Sequence, residues 1–291
     1  MVKVYTMENR DLVIEKVKKT LIIAGSTFSE DKKDVYKRAI EKETNKSAKW
    51  VLETNLENAL VAEKNRSPLC DDSGIPHLIL DIGKNKSVSG ELLDAINQGI
   101  IEGLRALPGR PMAIKGNDLQ RIDQSGGLDE DPGALTHAPI LFRYIDEDVI
   151  RLHILMHGGG PEIRGKTFRV FHKHKVSVLT DEIINWAVEG ASMLGCTPVT
   201  IAIGIGRSHF EATSLMLQAM IEGNHNIQNE LEREITDRVN KINVGPLGIG
   251  GDTTALGTFI KVGPQRASGV RIVCMRPCCG IEPRKASVEL Q

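Results

Sequence analysis

Aromatic residues make up only 4% of this chain of 291 residues, so its core is predicted to be mainly aliphatic. The formal net charge is -1, so charge alone gives no reason to expect binding to nucleic acid or to a membrane surface. No apolar run reaches the length of about eighteen residues that suggests a transmembrane helix. An ordinary soluble globular protein is therefore expected.

A secretory signal is missing too, because the N-terminal stretch MVKVYTMENRDLVIEK has no apolar core. The expected location is a reducing cytoplasm. The five cysteines are odd in number and unevenly spaced, which argues against a disulfide framework. Metal binding, catalysis or inert burial remain open as their roles.

Apolar periodicity predicts a mixed α and β fold, with a helical N-terminal layer over residues 1–65 packed on a mixed sheet. The segments APILFRYI and VIRLHILM are predicted to pair as neighbouring strands through a DED turn. Residues 109–138 are rich in Gly, Asp and Pro and show no period, which is typical of a functional or disordered loop. Without a repeat or a linker, residues 1–291 are interpreted as one domain.

The further strands and helices are predicted from the same patterns. Strands are expected at HLILDIG, VTIAIGIG and GVRIVCMR, and GPLGIGGDTTALGTFIKVG is expected to combine a glycine-rich loop with a strand. Helices are expected at GELLDAINQGIIEGLRAL, DEIINWAVEGASML, FEATSLMLQAMIEG and QNELEREITDRVNKIN.

Two glycine-rich segments suggest nucleotide binding, and neither fits it well. GIGRSH, from Gly204, lacks the third glycine of a dinucleotide-binding loop. GPLGIGGDTT, from Gly245, resembles a phosphate loop but has Asp252 near the place of the lysine, and an acid repels phosphate. A nucleotide is therefore not the expected ligand.

Zinc is a second possibility, because the chain has eight histidines. His153 and His157 are four residues apart, but HILMH is predicted to be a strand, where that spacing separates the side chains. His172 and His174 are predicted to share a strand face and could bind a metal. No accompanying Cys or Glu completes a zinc spacing, so solvated or packed histidines are favoured.

The cysteines stand in three separate contexts, and in each one a cysteine lies at or beside a turn or a strand end. Residues so far apart come together only in the folded chain. Three thiolates on a four-iron cluster would leave one iron able to act as a Lewis acid on a substrate hydroxyl. Spacing alone still favours inert cysteines. The contexts are PLCDDSG, LGCTPVT and RIVCMRPCCG.

Taken in order, these contexts resemble the iron–sulfur hydro-lyases, namely the class I fumarases and L(+)-tartrate dehydratases. The family motif Cys-Gln-Asp-Thr-Gly resembles Cys70–Gly74, and its Lys-Gly-Gly-Gly-Ser-Glu resembles His157–Glu162. LGCTPVTIAIGIG, GGDTTALG and VCMR also match family segments in the same order, as does the helical stretch before the first cysteine. The resemblance covers nearly the whole chain and implies the cluster-binding N-terminal domain of a class I fumarase.

The resemblance implies a specific set of site residues. Cys70, Cys196 and Cys274 match the ligands of a 4Fe-4S cluster, and Asp72 matches a catalytic aspartate beside the substrate. Arg110 resembles an arginine that clamps a substrate carboxylate. The backbone N–H groups of a glycine segment are expected to lie close to the anionic substrate; its residues are Gly158, Gly159 and Gly160.

Departures from the family motif affect the predicted substrate. Asp71, a predicted substrate-binding residue, stands where the family has glutamine, and a carboxylate repels a dicarboxylate. An aspartate could accept hydrogen bonds from the extra hydroxyl of a dihydroxy acid. His157, Pro161 and Ile75 also differ from the family motifs. Malate, fumarate and tartrate therefore all remain open as substrates.

Single-chain class I fumarases carry a further C-terminal domain that supplies the catalytic base, and nothing follows Gln291 here. The chain is therefore expected to be an α-subunit that needs a β-subunit, assembled as a dimer of heterodimers. The first alternative is a cluster-binding or sensory protein without hydro-lyase activity. A further alternative is a zinc or mononuclear iron protein that uses Cys278 and Cys279.

Overall fold

A computed structural model describes residues 7–107, 109–110 and 112–291, so the first six residues of the predicted helical region lie outside the described part. The chain divides into two compact units, and neither is continuous in sequence. The first unit comprises the chain up to Thr27, Ala59–Gly158 and Arg284–Gln291. The second comprises Phe28–Asn58 and Gly159–Pro283. Interpretation of residues 1–291 as one functional domain stays a prediction.

The fold is mixed α and β, as predicted, with two mixed sheets. Two 3-10 turns lie at Pro132–Leu135 and Pro246–Gly248. Among the described residues no helix is long and apolar enough to cross a membrane. In chain order the other elements are α1 (Met7–Ser26), α2 (Glu30–Lys42), α3 (Lys46–Asn65), β1 (Ile75–Gly83), α4 (Gly90–Ala106), α5 (Asp118–Asp123), β2 (Leu141–Ile145), β3 (Ile150–His157), α6 (Gly159–Glu162), β4 (Lys166–Phe171), α7 (Val176–Leu194), β5 (Val199–Gly206), α8 (His209–Glu222), α9 (Glu230–Asn240), β6 (Ala255–Val262), β7 (Val270–Cys278) and β8 (Arg284–Glu289).

The sheet of the first unit has the strand order β2-β1-β3-β8. Strand β1 pairs with β2 in parallel and with β3 antiparallel, and β8 pairs antiparallel with β3. Alternate residues of β1 and β3 pack against α1 and α4, because side chains in a strand point to opposite faces in turn. The core formed in this way includes Val17, Leu21, Leu80, Ile96, Leu152 and Ile154.

The predicted pairing of APILFRYI with VIRLHILM is wrong, because β1 lies between β2 and β3. Burial explains this order. Strand β1 is apolar over most of its length and largely buried, so it occupies an interior position. Strand β2 alternates between exposed and half-buried residues, as an edge strand does. Strand β8 was not predicted from the sequence, and it completes the sheet beside β3.

The sheet of the second unit has the order β4-β7-β5-β6. In β5, Val199, Ile201 and Ile203 face a core that residues of α7 and α9 share. The alternate residues face α8, and Gly204 permits its close approach. A Cβ at Gly204 would lie 2.0 Å from the carbonyl oxygen of Ala212. The glycines of VTIAIGIG are therefore explained by helix packing rather than by a nucleotide.

The long segment 109–138 contains only short elements in its described part. These are α5, which begins with a capping box at Asn117, and the 3-10 turn Pro132–Leu135. A bridge between Ile114 and Leu128 closes the loop around α5. The segment is therefore largely irregular, as its composition predicted.

Candidate active site

The predicted site residues fall into two groups, one in each unit. In the first unit, the residues of the turn Cys70–Gly74, called the Cys70 turn below, donate hydrogen bonds to the carboxylates of the turn itself. The Cys70 thiol donates to Oδ1 of Asp71 at 3.3 Å, and the backbone N–H of Asp72 donates to the same oxygen at 2.9 Å. The backbone N–H of Gly74 donates to Oδ1 of Asp72 at 3.1 Å. The aspartates thus stabilise the turn locally.

The structure brings Asp71 and Arg110 together. Nη1 of Arg110 lies 3.7 Å from Oδ2 of Asp71, and the two side chains are 61% and 76% exposed. Hydrogen bonds from the Cys70 thiol and the Asp72 N–H, with the Arg110 charge, hold the pKa of Asp71 below its ordinary value. Water screens the charges of an exposed ion pair of this kind, so Arg110 can exchange Asp71 for another carboxylate at little cost.

Sequence reasoning missed Arg284, which supports the Cys70 turn from β8. Its fully buried side chain donates from Nη1 to the carbonyl oxygen of Asp72 at 2.8 Å and from Nε to that of Met156 at 3.2 Å. Burial raises the pKa of the Cys70 thiol, and the Arg284 charge is among the effects that oppose it. Alternation with Ala286 and Val288, which pack on the core, could have indicated that Arg284 is buried.

Gly74 is required where this turn meets Arg284. Its φ is +84°, a value that L side chains rarely adopt. A Cβ there would also lie 2.5 Å from Nη2 of Arg284 and 2.8 Å from the carbonyl oxygen of His157. The Ser-Gly ending of the motif therefore has a physical reason in both backbone conformation and space.

The predicted glycine segment lies where the chain passes from one unit to the other. Gly158 is buried after β3, while Gly159 and Gly160 are exposed in the four-residue helix α6. A Cβ at Gly160 would meet only Leu194, at 3.9 Å, so the space above this residue is open. The exposed backbone suits the approach of a ligand, and the binding role of the segment stays a prediction.

Cys196 lies in the second unit, directly after Gly195, the residue that caps the C-terminus of α7 with a φ of +78°. Its side chain is exposed, and its carbonyl oxygen accepts a hydrogen bond from the N–H of Gly280 at 2.9 Å. This cysteine is therefore presented at a turn whose backbone is tied down.

Cys274 is buried on β7 beside a cavity of about 160 Å³, here the Cys274 cavity. The Thr213 hydroxyl donates to its sulfur at 3.6 Å, and Thr167 lies opposite it on β4. Burial raises the pKa of the Cys274 thiol, and the hydroxyls of Thr167 and Thr213 oppose that effect by hydrogen bonding. The cavity is lined by Glu162, Lys166, Thr167, Thr213, Met216 and Arg276 among others.

Arg276 was also missed, although it follows Cys274 by two residues and so shares its face of β7. Its side chain is almost wholly buried and contacts Glu162. Its Nη2 donates to both carboxylate oxygens of the buried Glu282, at 3.1 and 3.0 Å. The amine of Lys32 donates to the carbonyl oxygen of Glu282, and burial lowers the pKa of Lys32 to about 7. A chain of ionic groups therefore leads from the interior of the second unit to the Cys274 cavity.

The five cysteines, all within the described residues, form no disulfide. Among those residues no three His, Cys, Asp or Glu side chains are grouped as ligands of one metal ion. The predicted ligand Cys70 belongs to the first unit, whereas Cys196 and Cys274 belong to the second. The donor chemistry of the three nevertheless fits an iron–sulfur cluster, since each is a free thiol at a turn or beside a cavity. Their shared role stays a prediction.

The other cysteines and histidines fit structural roles. Cys278 is fully buried, and burial raises the pKa of its thiol. The prediction that His172 and His174 share a strand face is wrong, because β4 ends at Phe171 and His174 has a φ of +56°. Nε2 of His172 lies 3.0 Å from the carbonyl oxygen of Ser268. His153 lies on β3, as predicted, and its ring contacts the carboxylate of Asp81 at 2.8 Å.

The glycine-rich loop before β6 binds a carboxylate of its own chain. The backbone N–H of Asp252 lies 3.0 Å from both carboxylate oxygens of Glu43, and that of Thr253 donates to the same group at 3.1 Å. The Asp252 carboxylate accepts from Thr44. Glu43 therefore occupies these donors, which supports the interpretation of the loop as something other than a phosphate site.

A larger cavity of about 730 Å³ lies elsewhere in the second unit, between α2 and α9. It carries both signs of charge, with Arg38, Lys42 and Arg233 facing it as well as Asp237 and Asp252. Its described lining includes none of the predicted site residues. Size alone therefore does not identify the active site.

Comparison with known proteins identifies the class. A sequence model of the family described as Fumarate hydratase (Fumerase) matches residues 14–289. The chain belongs to this family of hydro-lyases.

Two individual proteins are similar to this chain over most of its length. The chain is 28% identical over 285 residues to a Methanocaldococcus jannaschii protein provisionally named L(+)-tartrate dehydratase subunit alpha, a match covering 92% of this chain and 94% of that protein. It is 22% identical over 284 residues to the L(+)-tartrate dehydratase subunit alpha of Escherichia coli K12, covering 93% and 90%. The family resemblance predicted from the cysteine motifs is thereby confirmed.

Proposed function

We propose that this chain is the α-subunit of a hydro-lyase that reversibly removes water from a small 2-hydroxy dicarboxylate such as malate or tartrate. The observation that carries the proposal is the order of the three cysteine contexts within the segment that the family model matches, residues 14–289. The proposed fold type is the cluster-binding domain of the class I fumarases, with the N-terminal helices as one layer on the sheet. The reducing cytoplasm suits its thiols.

Cys70, Cys196 and Cys274 would hold a 4Fe-4S cluster. When bound, the cluster supplies a Lewis acid for a substrate hydroxyl. Cys70 stands on a turn that Arg284 holds in place, and Cys274 stands on a central strand beside α8, whose Thr213 supplies a hydroxyl donor. Each candidate ligand is thus supported by its own surroundings rather than by its sulfur alone.

The exposed side chains of the Cys70 turn would handle the substrate. Arg110 would release Asp71 and bind a substrate carboxylate through its planar fork. Asp71, then available, would accept a hydrogen bond from a hydroxyl of the substrate. Asp72 would exchange a proton with the substrate, because it belongs to the same turn as Cys70 and its carboxylate is held by the N–H of Gly74.

The glycine segment would add backbone donors for the second carboxylate. Gly159 and Gly160 are exposed, and open space lies above Gly160. Backbone N–H groups suit an anion because they donate without the entropy cost of a long side chain. Substitution of Gly160 by valine is therefore expected to weaken substrate binding with little loss of folding.

A second proton-transfer group on the opposite side of the substrate is expected from a smaller β-subunit, in a dimer of heterodimers. Exclusion of water at the contact would strengthen the electrostatics of the site. Two observations support the need for a partner. The names of both relatives describe an alpha subunit, and Asp71 and Arg110 are left exposed in this chain.

The test is to purify the chain without oxygen and to measure iron and sulfide, expecting about four of each per chain. The loaded chain is then assayed with malate, fumarate and tartrate, alone and with a co-expressed β-subunit. We expect turnover only with the partner. Full turnover by the chain alone would contradict the split site, and a colourless protein without iron would contradict the cluster.

A further inference from the structure

The surroundings of Cys274 differ from those of Cys70 in one chemical respect. The Cys70 thiol is a donor to a carboxylate, whereas the Cys274 sulfur is an acceptor from the side-chain hydroxyl of Thr213. Thr213 reaches it from α8 at 3.6 Å, a normal distance for a hydrogen bond to sulfur. Thr167 on β4 stands directly opposite Cys274 in the strand register, so the two side chains share one face of the sheet.

Threonines on two separate elements, α8 and β4, therefore line the same cavity as the sulfur of Cys274. Cys274 is only 6% exposed, so water has little access to replace either donor. A negatively charged sulfur in a buried position is costly unless donors surround it. The hydroxyls lie at the lining of the Cys274 cavity, so they stand on the side where a group held by this cysteine would be.

We infer that Thr167 and Thr213 are positioning residues that set the reduction potential of the iron–sulfur group held by Cys274, by donating hydrogen bonds to its sulfur. The inference rests on the proposed function. Hydrogen bonds to the sulfurs are one of the factors that set the potential of an iron–sulfur cluster. They favour the reduced state, because one-electron reduction adds one negative charge to the cluster and its ligands.

The experiment uses valine, which has the shape of threonine without the hydroxyl. Thr167→Val, Thr213→Val and the double variant are purified without oxygen and loaded with iron and sulfide. Thr180→Val is the matched control, because the Thr180 hydroxyl donates to the carbonyl oxygen of Val176 within α7. The midpoint potential is measured by redox titration with electron paramagnetic resonance, after iron and sulfide are counted.

We expect full clusters in all variants and a midpoint potential that moves to more negative values in each valine variant. The shift should be larger in the double variant and absent in Thr180→Val. Thr213→Ser keeps a hydroxyl, so its midpoint potential should be that of the wild type. A merely structural role would lower thermal stability without this pattern of potentials.

Several results would overturn the inference. If the loaded valine variants have the midpoint potential of the wild type, the inference is overturned while the proposed function stands. An equal shift in Thr180→Val has the same consequence. If a valine variant folds but loads poorly, the serine variant at that position decides: full loading supports the hydroxyl's role, and poor loading overturns it. A wild-type chain that binds no cluster would overturn the proposed function and this inference together.

Discussion

The Cys70 turn and the Cys274 strand carry the two best-defined candidate ligands, and the two units hold them by different means. In the turn the charges are exposed, and the Arg110–Asp71 contact at 3.7 Å leaves both groups available to a substrate. In the second unit the corresponding pair is Arg276 on β7 with Glu282 in the segment after this strand, and their side chains are 2% and 0% exposed. Removing one partner of a buried pair is far more costly than removing one of an exposed pair.

The difference separates two tasks that one active site has to perform. Groups that must exchange partners during a reaction belong where water screens their charges, as Asp71 and Arg110 do. Groups that must keep a ligand in one place belong in the interior, where a broken contact cannot be replaced by water. The chemistry of a turn and the packing of a strand are therefore different kinds of constraint, and substitutions can test them one at a time.

The largest effect is expected from the cysteines themselves. Cys70→Ser, Cys196→Ser and Cys274→Ser should each lose most of the iron and sulfide, because each removes a thiolate from a three-thiolate site. The controls Cys278→Ser and Cys279→Ser should keep both. Iron and sulfide analysis after anaerobic purification decides this, and loss in Cys278→Ser with retention in Cys274→Ser would show that the wrong ligand has been assigned on β7.

The second-largest effect is expected in the stability of two arginine variants, one at the buried Arg276 and one at the exposed Arg110. Arg276→Met leaves the Glu282 carboxylate buried without its arginine, which should lower the free energy of unfolding by about 3–5 kcal/mol. Arg110→Met removes an exposed contact that water screens, and it should leave the free energy of unfolding nearly unchanged. Urea unfolding of both variants measures the contrast. Equal losses would mean that burial does not separate the two regions.

A smaller effect is expected from Gly74 in the first region. Gly74→Ala should destabilise the fold by about 2 kcal/mol or more, from the positive φ together with contacts to Arg284 and His157. Gly127 also has a positive φ, of +73°, but a Cβ at this residue would meet nothing within 4 Å. Gly127→Ala therefore isolates the backbone effect, at about 1 kcal/mol. Similar losses in the two variants would argue against a tight contact at the Cys70 turn.

The most gradual effect concerns pH. Burial lowers the pKa of Lys32 to about 7 from 10.5, so between these values the unfolded state binds more protons than the folded state. Stability should therefore rise with pH across this window, by at most about 1.4 kcal/mol per pH unit from this group. Unfolding in urea at pH 7, 8 and 9 measures the slope, and Lys32→Met should flatten it. The same slope in the variant would exclude Lys32 as its source.

Local patterns predicted the elements better than their arrangement. The continuous apolar run VTIAIGIG indicated a buried strand, and β5 has those bounds. The neighbours of β2 were mispredicted because strand order depends on which strand is apolar on both faces, and that is decided by the whole sheet. The turn between β2 and β3 looked like a hairpin because proximity in sequence was the only guide.

The candidate site shows the same limit. Cysteine motifs indicated the ligands, since their neighbours are local. Arg284 lies 212 residues from its partner Asp72, and no spacing rule connects such residues. The position of Arg276 could have been predicted more easily, because a residue two positions after Cys274 in a strand lies on the same face. The contact of Glu43 with the glycine-rich loop was unpredictable for the same reason as that of Arg284, since its partners lie 209 and 210 residues away.

The position of β8 in the sequence has a consequence for biosynthesis. Translation proceeds from the N-terminus, so every strand of the second unit, ending with β7 at Cys278, leaves the ribosome before Arg284 does. The first unit is then still missing the fourth strand of its sheet and the side chain that holds the carbonyl of Asp72. A nascent chain stalled before residue 284 would thus carry the second unit's strands complete and the Cys70 turn without its arginine. Maturation of that turn is a late event in the life of the polypeptide.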